Sequence, residues 1–169
     1  QTAQDRSLEL IARGHNFTSV ETAVKELAAR NIKTAAHVIL GLPGETGKDF
    51  MDTAEKLAKQ PFSGVKLHNL LILKGTELAR KYAADPTFVK PMNEYEYAEA
   101  AAAFLKKLPD DRVVMRVTAD APPENIIAPK WWMKKGQFLD FFKKYYASGS
   151  QEAAFQGVKT EDGSPSLYH

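Results

Sequence analysis

Six consecutive residues, Gly41-Leu42-Pro43-Gly44-Glu45-Thr46, follow the apolar run His37-Val-Ile-Leu40 and bring a carboxylate, a hydroxyl and two glycines to one strand end. Glycines at 41 and 44 let the main chain turn sharply and lie close against a ligand. Thr46 can cap a following helix, whose first N–H groups suit an anion or a carboxylate. The same residues also suit an ordinary strand, turn and cap, with Glu45 answering the positive helix end. His37, inside the apolar strand, fits either a ligand contact or a satisfied core position. His68 and Asn69 are neighbours in a second apolar run, so alternation sends one to each face and makes them candidates for substrate contact. Lys74 and Asp120 fall where later strands end: the lysine can meet an anionic group, and the aspartate fits substrate contact or a turn. Arg13 offers a guanidinium at a helix end, suited to a carboxylate or to the helix dipole.

The elements that position these groups alternate. A helix is expected from Asp5 to Arg13, closed by Gly14, and a second opens at Thr18 and Glu21, which stand at capping-box spacing. A strand from Thr34 to Leu40, a helix from Thr46 to about Gln60 and a strand from Val65 to Leu73 follow. Next come a short helix over Gly75 to Tyr82, a helix capped by Asn93, a third strand from Arg112 to Val117 and an irregular stretch from Asp120 to Pro129. A last amphipathic helix, about Lys135 to Ala147, presents Phe138, Phe141, Phe142 and Tyr145 to the body. Such alternation implies an α/β fold with right-handed crossovers and parallel strands covered by helices. Ligands of such sheets sit at the carboxyl ends of the strands, here Gln1, residues 41–45, 71–74 and 118–120.

The chain has 169 residues, 44% of them hydrophobic, and a net charge of +2. One sizeable core is therefore expected, over residues 1–147, with 148–169 as a loose polar tail docking at most through Phe155. The near-balanced charge argues against a strong nucleic-acid footprint. No cysteine is present, which excludes disulfides and thiolate-bound metals or clusters within these residues. No apolar run is long enough to span a membrane, and a cytoplasmic protein is expected. The chain opens on Gln1 and enters a helical pattern almost at once, so we expect a fragment of a longer polypeptide. There is no P-loop, GxGxxG, Ser-His-Asp motif or helical His-Glu-x-x-His, so no catalytic residue and no metal ligand are named.

Taken together, Gln1, Arg13 in Arg-Gly-His, Val-Ile-Leu-Gly-Leu-Pro-Gly-Glu-Thr46 and Leu-Lys-Gly-Thr76 resemble, in order and spacing, the second half of a radical SAM enzyme. The set is most similar to the YhcC-like group, and more distantly to oxygen-independent coproporphyrinogen dehydrogenase and the Elongator catalytic subunit. Val-Thr-Ala-Asp-Ala-Pro, Ile-Ile-Ala-Pro-Lys-Trp and Phe-Gln-Gly extend the resemblance over nearly the whole chain. It implies the C-terminal half of a partial (β/α)6 barrel. S-adenosylmethionine would bind a 4Fe–4S cluster held by a CxxxCxxC loop and yield a 5′-deoxyadenosyl radical that abstracts hydrogen from an unknown substrate. With no cysteine here, the cluster ligands are expected in a missing N-terminal half of the same polypeptide, and this fragment alone is expected to be inactive.

By the same resemblance, Gln1, Arg13, His37, Gly41, Leu42, Pro43, Gly44, Glu45 and Leu71 match cofactor-binding positions. Arg13 would grip the methionine carboxylate, Gln1 a ribose hydroxyl or carboxylate, and Leu71 would pack on the adenine. A reductant such as flavodoxin or ferredoxin is an expected partner. RNA is one candidate substrate, since Lys130-Trp-Trp-Met-Lys-Lys135 interleaves aromatics with cations, although tryptophans seating the last helix would look the same. The alternative reading is a noncatalytic α/β nucleotide- or RNA-binding module.

Overall fold

The structure, a computed structural model, describes residues 1–148. Helix α1 (Asp5–Leu10) stops earlier than expected. Ala12 N–H donates to Glu9 O and Arg13 N–H to Leu8 O, both at 2.9 Å, a Schellman closure with Ala12 at φ 52°. Ala12, not Gly14, thus ends the helix, and Arg13 leaves it. Helix α2 (Phe17–Ala29) is capped by Asn16, whose Oδ1 accepts from Ser19 N at 3.0 Å. The Thr18–Glu21 pair therefore lies inside the first turns rather than opening the helix. Asp5 joins the two helices by accepting from Phe17 N at 2.7 Å.

Strand β1 (Ala35–Leu40) leads through the glycine turn into α3 (Gly47–Ala58), where Asp49 Oδ2 accepts from Thr46 N at 2.8 Å and Thr46 Oγ1 at 2.9 Å. Strand β2 (Gly64–Asn69) then pairs in parallel with β1, from Ala35 opposite Gly64 to Leu40 opposite Asn69. Here the structure departs from the expected single strand of residues 65–73. After Leu70 N–H bonds Leu40 O at 3.1 Å, the chain leaves this sheet, and β3 (Ile72–Leu73) belongs to another.

Helices α4 (Glu77–Ala84), capped by Thr76, and α5 (Glu94–Leu105), capped by Asn93, lead to β4 (Val113–Arg116), which extends the parallel sheet in the order β1-β2-β4. On the other edge of β1, Gln1 O accepts from Ile39 N at 2.8 Å. Neighbours in space are neighbours in sequence, so the sheet grows one way, as the arc of a barrel does.

Alternation divides the sheet into two faces. Ala36, Val38, Leu40, Val65 and Leu67 are buried, together with Phe50, Ala54 and Leu57 of α3 and Tyr97, Ala101 and Phe104 of α5. His37, Lys66 and His68 alternate with them and face the other way. Between β2 and β4 the register slips: Val65 lies opposite Val114 but Lys66 opposite Arg116, so Met115 is an extra residue on β4. The bulge returns Arg116 to the row of Lys66.

The proline-rich stretch 120–129 is more ordered than its sequence suggests. It holds a 3-10 turn (Pro123–Asn125) and β5 (Ile126–Ala128), antiparallel to β3. Ile72, Ala79 and Val89 form a small core beneath this pair, with Leu78, Tyr82 and Phe88 packed against it. The chain divides into two units, Gln1–Trp131 and a second that begins at Trp132. In the second, α6 (Lys135–Ser148) carries buried Phe138 and Phe142, their ring centroids 6.1 Å apart. The expected tail contact at Phe155 lies outside the described residues.

Candidate functional site

At the carboxyl end of β1 the amino-terminal segment, the Arg13 corner and the glycine turn come together. Thr2 and Gln4 fix the segment to α3: Thr2 Oγ1 lies 3.2 Å from Thr53 Oγ1, and Gln4 Nε2 donates to Asp52 Oδ2 at 2.7 Å. Arg13 and Glu45 both lie within electrostatic reach of the Gln1 backbone nitrogen. Gln1 Oε1 and Glu45 Oε1 are each buried without a hydrogen-bond partner among the described residues, and so is Ser7 Oγ. Burial raises the Glu45 pKa, opposed by the nearby hydroxyls of Thr2 and Ser7. Buried polar atoms without partners are uncommon and costly, and here the Ser7 and Thr2 hydroxyls stand close enough to the Glu45 carboxyl to share hydrogen bonds with it.

Within the turn, Leu42 and Pro43 point inward and are buried, while Gly44 is exposed and Glu45 half-buried. Arg6 clamps the turn from α1, donating to Gly44 O at 3.2 Å and pairing with Asp49 at 2.9 Å. Gly41 has φ 96°, and a Cβ there would meet Met92 Cε at 3.1 Å, so this glycine serves the turn and its packing. Gly44, at φ 74°, has nothing within 4 Å of a would-be Cβ, while its carbonyl is taken by Arg6.

On the unburied face of the sheet, His37 and His68 meet across β1 and β2. Their Nε2 atoms are in hydrogen-bond contact and their ring centroids are 4.2 Å apart at 63°. One imidazole must donate and the other accept, so the pair holds together while both rings are neutral. His68 is pushed down to about 4, first by burial, then by His37, Arg116 and Lys66. His37 is lowered too, by burial and by the charges of Lys66 and Arg116. Lys66 is the lateral neighbour of both His37 and Arg116 in the sheet register.

With this geometry in view, similarity to known proteins is informative. The model of the Radical_SAM C-terminal domain family matches residues 62–147. The chain belongs to this family. The uncharacterized protein MJ0486 of Methanocaldococcus jannaschii is 34% identical over 83% of the chain and 43% of its own length. YhcC of Escherichia coli is 30% identical over 78% and 42%, respectively. A tRNA uridine(34) acetyltransferase of M. jannaschii is 26% identical over 86% of the chain and 26% of its length. Among solved structures, Elp3 of Methanocaldococcus infernus with an N-terminal deletion superposes with a TM-score of 0.75 at 22% identity, covering 88% of this chain and 35% of that one. The fold is therefore part of a radical SAM barrel, and the YhcC-like resemblance holds. The chain spans less than half the length of the first curated relatives it matches.

Within this radical SAM C-terminal region the remaining candidates separate by role. Asn69 is buried on the face opposite His68. Its Oδ1 accepts from Thr118 Oγ1 at 2.9 Å and from Ala119 N at 2.8 Å, so it ties the end of β4 to β2. Leu71 is half-buried just before β3. Lys74 is exposed, and its N–H bonds Asn125 O at 2.9 Å, joining the small sheet to the 3-10 turn. Asp120 is exposed two residues beyond Thr118. Four contributors escaped the sequence reading: Arg6, Ser7, Lys66 and Arg116. Lys66 stands two residues before His68 and was accessible from alternation, whereas Arg116 is aligned only by the bulge.

Proposed function

We propose that this chain is part of a radical SAM enzyme and supplies the carboxylate-binding side of its S-adenosylmethionine site together with part of the substrate face. The observation that supports the reading is that Arg13 and Glu45 lie within electrostatic reach of Gln1 beside the exposed Gly44, with Gln1 Oε1 buried and without a partner among the described residues. These groups fit the polar end of S-adenosylmethionine: Arg13 a carboxylate, Gln1 and Glu45 an ammonium or hydroxyls. They do not fit an iron–sulfur cluster, since none of the 169 residues is cysteine. In this reading the cluster belongs to a preceding part of the same polypeptide, reduced by a flavodoxin- or ferredoxin-type donor. S-adenosylmethionine bound beside such a cluster supplies a 5′-deoxyadenosyl radical for hydrogen abstraction. This chain orients that cofactor and shields one side of it.

The test begins with the reading frame upstream of the Gln1 codon, where a CxxxCxxC segment is expected. The full polypeptide, reconstituted without oxygen and reduced, should release 5′-deoxyadenosine. In Arg13→Ala the KM for S-adenosylmethionine should rise about 10-fold or more, the scale of a lost charge-assisted hydrogen bond. A frame without cysteines, or release that ignores Arg13→Ala, overturns the reading.

RNA as substrate is the second reading. Trp132, 92% exposed and followed in the sequence by Lys134 and Lys135, offers a stacking surface with cations close along the chain. Two relatives named for tRNA modification point the same way. Binding of tRNA that is lost in Trp132→Ala would favour it.

A further inference from the structure

We propose that His37, Lys66, His68 and Arg116 form a subsite for a phosphate monoester carried by the substrate. The inference rests on reading this face of the sheet as the substrate side of the radical SAM site. It stands on placement. His37, Lys66 and Arg116 lie side by side across three strands, and His68 stands one step nearer the strand ends, against His37. The β4 bulge is what puts Arg116 in this row; without the extra residue Met115 would be there instead.

The four groups are hydrogen-bond donors or can become donors. Neither Lys66 nor Arg116 has an ion pair among the described residues. The side-chain cations acting on the two imidazoles are Lys66 and Arg116. A divalent cation would be repelled here, although two facing imidazoles alone would attract one. With both rings neutral, Lys66 and Arg116 contribute two positive charges, which match the dianion of a phosphate monoester near neutral pH. A carboxylate or a phosphodiester, with one negative charge, would leave one cation uncompensated. An arriving dianion also reverses the field on the histidines, so the shared pair can take up a proton and donate from both rings.

The test uses the 169-residue chain and three probes: inorganic phosphate, adenosine 5′-monophosphate, and the phosphodiester of a dinucleoside. Binding is followed through the histidine ring signals in nuclear magnetic resonance spectra. Phosphate and the monoester should shift the His37 and His68 signals and move the His68 titration upward from about 4. Arg116→Gln and Lys66→Gln, both on the open face, should each weaken binding about 10-fold, the scale of one lost charged hydrogen bond. Lys130→Gln should change nothing. Ring signals that ignore phosphate, equal binding by Arg116→Gln, or a diester that binds as well as the monoester would each overturn the proposal. Failure here leaves the Arg13 test of S-adenosylmethionine binding unaffected, so the two readings fall separately.

Discussion

His68 shows how a single position can be ordinary in sequence and strained in its surroundings. Its imidazole is held neutral by partial burial, by the His37 ring against it and by the cations Arg116 and Lys66. The consequence for stability has a definite sign. Above the ordinary histidine pKa of about 6.5, folded and unfolded chains are both neutral at this ring. As pH falls from there toward about 4, the unfolded chain takes up a proton that the folded chain refuses, so stability drops. His37 is shifted the same way and adds to the slope. Urea midpoints measured at about pH 7.5 and about pH 5 should therefore differ in the wild type, and the difference should shrink in His68→Gln. An unchanged difference in His68→Gln would place the acid sensitivity elsewhere. At this scale the sequence was partly legible. Alternation put His68 and Asn69 on opposite faces, but nothing in the residue types said that Asn69 would spend its carbonyl holding Thr118 and Ala119.

Elements were legible where periodicity or a cap marked them and illegible where contact with a distant segment defined them. α3 and α5 begin at Thr46 and Asn93 as their capping residues indicate, and β1 falls within its apolar run. β3 and β5 have two and three residues, too few for any period, and exist because they pair with each other. The bulge in β4 is likewise a property of its pairing with β2. The strand-to-helix turn at Gly41 gives the sharpest test at this level. Its φ of 96° is open to glycine and strained for any side chain, and Met92 Cε stands 3.1 Å from the position a Cβ would take. Gly41→Ala should cost about 1–3 kcal/mol in urea unfolding. Adding Met92→Ala should restore little of it, because the backbone rather than the contact is the main obstacle. Full restoration by Met92→Ala would instead make the packing decisive.

At the scale of the whole molecule, the sheet is a three-stranded arc rather than a closed ring, and its β4 edge is apolar and wet. Val113, Val114 and Met115 are 62%, 45% and 62% exposed, an unusual share for a strand that ends the sheet among the described residues. No helix among the described residues is long and apolar enough to cross a membrane. Two forces then act in the same direction on the isolated chain: removal of apolar surface from water and pairing of the free edge. Sedimentation velocity over a rising protein concentration should reveal self-association. Val114→Lys should reduce it, because a lysine in an edge strand disfavours a second strand at modest cost to the fold. Met115→Lys adds a charge at the bulge and should act similarly. Association that persists in both variants would move the contact away from β4. Association lost in both would show that this edge is the surface on which copies of the chain meet.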